Sequence, residues 1–254
     1  MTTATELALR AYLIPLTRTR AFVIGVVLTV LFLGLTALAF ALGAMGAITG
    51  ALPASITQDM IRSQRLFILA PGIAIGAILL GELPLREGIR HRTLLYPLLG
   101  PVPRMTLAAV RILATGALLA LGASAVTTIL FLVGGGGGDS LVRQILAVTL
   151  GSFAFMAIFS FIHTLVKRGL MGGLMFLFLL DVPLAMLPFG LRKLSVTFQL
   201  RAIAGKQVDM ELPVQIAAPE GSLWMGVLVL SVITVVFTYL AARIFKSQRL
   251  GELC

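Results

Sequence analysis

The chain is 254 residues long, 59% hydrophobic and only 12% charged, with a mean hydropathy of +1.05. A soluble domain of that length has too little interior for so much apolar surface, so lipid must cover the excess and the composition reads as an integral membrane protein. The formal charge is +10, but the cations flank apolar runs instead of forming one face with interleaved aromatic residues, which argues against nucleic acid as a partner.

Residues 5–20 are too polar to span a bilayer. Leu7, Leu9, Tyr12, Leu13, Ile14 and Leu16 can lie on the headgroup layer while Glu6, Arg10 and Arg18 face water, so the stretch is expected as an interfacial elbow helix, the alternative being a frayed tail with positive-inside charges. Six apolar runs then follow, each near the roughly 20 helical residues that cross a hydrocarbon core of about 30 Å. They lie near 21–48, 66–83, 110–133, 144–166, 169–190 and 223–242. The first is longer than the bilayer requires and is expected to tilt or project. It is too long for a signal-peptide core and lacks a short small-residue cleavage site after it, so it is expected to stay as a span. Small-residue pairs four apart, Gly46 and Gly50, Gly72 and Gly76, Gly169 and Gly173, allow helices to approach closely within one chain or between two.

Between the second and third runs lies a charged, proline-punctuated segment, 82–104, where a membrane protein of this kind would meet a soluble partner. Pro84 and Pro97 bracket Arg86, Glu87, Arg90, His91 and Arg92, which offer charged contacts, and Leu94, Leu95, Leu98 and Leu99, which offer an apolar face. That combination suits a short helix docked in a groove on a soluble subunit. The competing reading is an ordinary basic loop lying on anionic headgroups. Glu82 stands where the second run leaves the membrane, a position at which water can solvate it.

Gly134 to Gly138 are consecutive glycines followed by Asp139-Ser140. A phosphate-cradling loop needs a strand before it and a Lys-Ser or Lys-Thr after it, so this run reads as a flexible external hairpin. The catalytic inventory is thin. His91, His163 and Cys254 are the only His and Cys residues, so no metal-ligating set or nucleophilic arrangement can be assembled, and no catalytic, cofactor or metal site is expected in this chain. Asp181 is an acidic residue deep in an apolar run, two before Pro183. It either lines a pathway or ties up backbone near the proline. From 191 to 222 the chain turns polar, which is read either as short helices on or re-entering the outer leaflet or as a plain surface loop.

Orientation comes from the basic residues. With six spans and both termini inside, thirteen of the twenty Lys and Arg fall on the cytoplasmic side and seven outside, so the positive-inside rule favours that arrangement.

The series Glu82, Arg86-Glu87-Gly88, Thr93-Leu94-Leu95, Pro97, Pro101-Val102-Pro103-Arg104 and Arg111 resembles the cytoplasmic stretch between spans two and three of type 2 ABC transporter permeases. Four residues separate Gly88 from Thr93 where the family usually has the pair adjacent. The elbow, the six spans, the cytoplasmic ends and the long external segment before the last span follow the same outline. The resemblance implies an all-α half-size permease of the cell membrane that pairs with a second copy or a related subunit and binds separate cytosolic ATPase subunits, which would carry the ATP and magnesium. Glu82, Arg86, Glu87, Gly88, Arg90, Arg92, Thr93 and Arg104 would then form the contact with the ATPase. The family is rich in exporters, and spans with few internal polar groups fit an amphipathic cargo better than a small ion. An ATP-independent membrane scaffold is the alternative. A secondary transporter would call for paired broken helices and several buried ionisable groups.

Overall fold

The computed structural model describes residues 71–87, 103–134, 138–166, 168–186, 190–205 and 222–247. The expected elbow at 5–20 and first span at 21–48 lie outside the described residues. So do Gly88, Arg90, Arg92 and Thr93.

All described elements are helical. They are α1 (Ile73–Leu80) with a π-helical extension over Leu83–Glu87, α2 (Arg104–Gly134) and α3 (Gly138–Leu165). A broken rod follows, made of α4 (Gly169–Met175), a π-helical stretch Phe176–Asp181 and α5 (Val182–Met186). Next come a 3-10 turn at Gly190–Leu194, the short helix α6 (Val196–Ala204) and α7 (Leu223–Ser247). Among the described residues, three stretches are long and apolar enough to cross a membrane: Arg104–Leu132, Gly138–Leu165 and Leu223–Ser247, of 29, 28 and 25 residues. At about 1.5 Å per residue even the shortest exceeds 30 Å. Ile73–Leu85 and Gly169–Ala185 are shorter apolar helices.

The helices run beyond the expected apolar windows. α2 begins six residues before 110 because the bundle accepts its charges: Arg104 is half-buried and Arg111 is 3% exposed. α3 begins at Gly138, the last glycine of the run, with Asp139 in its first turn, where a carboxylate favours the positive end of the helix dipole. The glycine-rich connection between α2 and α3 is thus reduced to 135–137. α7 continues to Ser247, five residues past 242, and the rod of α4 and α5 is described as far as Met186, with 187–189 outside the described residues.

Both π-helical stretches adjoin a proline. Proline has no N–H and its ring crowds the carbonyl four residues back, so an α-helix must open there. Pro84 lies inside the first wide turn and Pro183 two residues after the end of the second. At the second, the Val182 N–H reaches the Leu177 carbonyl five residues back, the signature of a widened turn.

The central element is α3. Of its apolar window 61% is buried, against 28% for α7, and it touches every other long element. Phe155 and Phe159 stack with centroids 5.7 Å apart, and Phe159 meets Phe176 edge-on at 5.9 Å. Small residues set the spacing. A Cβ on Gly173 would come within 3.0 Å of Ile78 and 3.3 Å of Phe159, so this member of the Gly169 and Gly173 pair serves packing within the chain.

Residues 190–194 form an exposed turn, but the segment that follows, 195–204, is not a surface loop. All of α6 except Arg201 is buried, and Leu200 packs on Gly151 so closely that a Cβ there would lie 2.6 Å from the Leu Cδ2. Gly151 lies thirteen residues into α3 from Gly138, about 20 Å along it. Gly205, with φ +84°, then ends α6 beside Arg143, near the start of α3. α6 therefore starts at mid-bundle and returns toward the α2–α3 connection.

Candidate functional site

The end of the bundle that holds Glu87, Arg104, Leu165, Gly169 and Ser247 is where the charged segment is rooted. Its first root is the π-helical turn. Leu85 is 2% exposed in a cluster with Leu107, Ala108 and Ile112 of α2 and Ala241, Ala242 and Phe245 of α7. Leu83 packs with Leu80, Ala114 and Leu118. Pro84, one of the two prolines that bracket the charged stretch, is itself buried, and its carbonyl accepts a hydrogen bond of 3.2 Å from Arg111 Nη1 across 27 residues of chain. The reason is the widened turn. It frees main-chain carbonyls from the helix ladder, and a long cation on the neighbouring helix satisfies one of them without leaving the bundle. The second root is the start of α2, where Leu107 N–H bonds the Pro103 carbonyl and Arg104 is half-buried.

Glu82 is half-buried, at the junction of α1 with the wide turn. Arg86 and Glu87 are placed by their backbone in that turn. Gly88, Arg90, Arg92 and Thr93 are not among the described residues, so what the structure brings together is the two ends of the 82–104 segment. Both converge on the Leu85, Leu107 and Phe245 cluster.

His163 joins three elements at the same end. Its Nδ1 lies 2.7 Å from the Phe159 carbonyl, which can only accept, so Nδ1 carries the hydrogen. Gly81 at the end of α1 and Gly169 at the start of α4 press on the ring. A Cβ at Gly81 would lie 3.0 Å from it, and one at Gly169 would overlap it. The sequence marks His163 only as a residue near the end of a span. The glycines that contact it lie 82 and six positions away, which single-chain spacing does not pair.

Asp181 is 2% exposed and bound at every side-chain oxygen. Oδ1 accepts from Val196 N at 2.8 Å and lies 3.0 Å from Ser195 Oγ, while Oδ2 accepts from Thr197 N at 3.2 Å and Thr197 Oγ1 at 2.5 Å. Ser195 in turn caps α6, accepting from Phe198 N at 3.2 Å. The carboxylate thus closes the N-terminus of a helix that begins inside the bundle, where no bulk water reaches its free N–H groups. Arg201 on α6 is near enough for the Asp181 charge to act on it. Ser195 and Thr197 escaped the sequence reading, although a serine just before the alternating stretch 196–204 is a helix-start signal. The polar average of 191–222 conceals it.

Among the described residues no group of three or more His, Cys, Asp or Glu side chains could hold a metal ion. No family model, curated protein or solved structure matches the chain.

Proposed function

We propose that this chain is the transmembrane subunit of an ATP-binding cassette exporter, built as six spans with cytoplasmic termini, paired with a second copy or a related subunit, and driven by separate cytosolic ATPase subunits that dock on residues 82–104. The observation that carries the proposal is the double rooting of that segment. A docking element coupled to distant helices must not swing freely, and here the first root is held by the buried Leu85 and the Arg111 bond to Pro84 while the second continues directly into α2. A push on 88–102 is thereby delivered to α1, α2 and α7 at once. The motif resemblance and the basic residues at this end, Arg104, Arg168, Arg243 and Lys246, support placing it in the cytoplasm.

Charge reversal tests the reading. Glu87→Arg adds a positive charge, so it preserves or strengthens attraction to anionic headgroups yet leaves a partner cation unpaired at a protein interface. With candidate Walker-type ATPases of the same genome coexpressed as partners, wild type is expected to retain one through affinity purification in detergent and Glu87→Arg to lose it. Retention by both sinks the coupling assignment. No ATPase retained by wild type favours the membrane-scaffold alternative.

A further inference from the structure

We infer that the end of α7 beside the start of α2 binds the phosphate of an anionic phospholipid, at a site next to the roots of the 82–104 segment that holds whether or not an ATPase docks. Met105, Tyr239, Arg243, Lys246 and Ser247 line an open cleft of about 420 Å³, within the size range of small-molecule sites. Tyr239, Arg243 and Lys246 follow one another at spacings of four and three, so they share one face of α7. The same face continues backwards through Val235, Val232, Leu228 and Trp224, with Trp224 79% and Val235 68% exposed. From Trp224 to Lys246 the helix rises about 33 Å over 22 steps, which carries this face from a Trp at one edge of a bilayer core, past Tyr239, to two cations at the opposite headgroup level.

Charge selects the occupant. α7 carries no acidic residue, so the two cations have no counterion on their own helix. A second copy packed symmetrically on this face would set Arg243 and Lys246 against the same cations, which is repulsive. A phosphodiester answers both. The guanidinium fork takes two phosphate oxygens, Lys246 adds a point charge, and the acyl chains follow the apolar stripe while Met105 closes the other wall.

The test is native mass spectrometry of the full chain in neutral detergent, with phosphatidylglycerol, phosphatidylcholine of the same acyl chains, and glycerol 3-phosphate as separate probes. Wild type is expected to retain phosphatidylglycerol in preference to phosphatidylcholine and to retain no glycerol 3-phosphate. Arg243→Gln with Lys246→Gln is expected to weaken phosphatidylglycerol retention about 25-fold, from roughly fivefold per cation. Arg243→Lys with Lys246→Arg keeps it within a few-fold. Arg168→Gln removes an exposed cation at the same end of the bundle and is expected to leave retention unchanged. Equal retention of the two lipids by wild type overturns the proposal even if the double variant misfolds. So does retention of glycerol 3-phosphate, or a loss in Arg168→Gln equal to that in the double variant.

Discussion

Asp181 shows how a charge is tolerated deep in an apolar bundle. Its ligands are main-chain N–H groups and two hydroxyls on a helix start, so its removal strands donors that have no water to turn to. Asp181→Ala is expected to lower stability by about 2–4 kcal/mol, as the sum of a lost helix cap and buried donors left unmade. Asp181→Asn keeps the shape and one carbonyl oxygen but presents an NH₂ to a donor, so it should fall between wild type and alanine. Thermal unfolding in detergent checks the order. Asn as stable as wild type, with transport impaired, would return Asp181 to the pathway role that its position in the sequence also allows.

At the level of elements, the two wide turns and the buried α6 do most to shape the bundle, and they were also the least legible. Apolar runs identified α2, α3 and α7 because hydropathy over about 20 residues is a long-range average that a few charges do not disturb. The same averaging started α2 at 110, leaving Arg104 outside the run, and Arg111 counted among the cytoplasmic cations when it is in fact bonded inside the bundle. It also merged VTFQLRAIA into a polar segment, since the charges around it outweigh nine residues. The prolines signalled a break, but not that Pro84 would be buried, because that depends on α7 bringing Ala241, Ala242 and Phe245 against the turn. Helix approach at His163 gives a checkable case. Gly169→Ala drives a methyl group into the ring and should cost about 1–3 kcal/mol by overpacking. Adding His163→Ala should recover part of that loss, because the clashing partner is gone. Strict additivity of the two changes in a thermal unfolding cycle would show that the contact does not govern the junction of α3 and α4.

For the molecule as a whole, helical class and membrane character follow from composition, and three helices of spanning length agree with that. The number of spans and the side on which the ends lie rest on charge asymmetry, which topology reporters measure. A reporter fused after Cys254 is expected on the cytoplasmic side and one inserted at Gly136 outside, and both on one side would contradict six spans. The proposed site is legible in part, in the charges and prolines of 82–104, whereas its roots were not, since Leu85, Arg111 and Phe245 are 26 and 134 residues apart in turn and meet only in the fold. The central claim is that 82–104 presents itself to a cytosolic ATPase. Its most direct measurement places a photo-crosslinking residue at Arg90, and in a separate variant at Gly136, in membranes containing a coexpressed Walker-type ATPase from the same genome. The account predicts an adduct of the combined mass from position 90 and none from position 136. No adduct from position 90, or equal adducts from both, would contradict it.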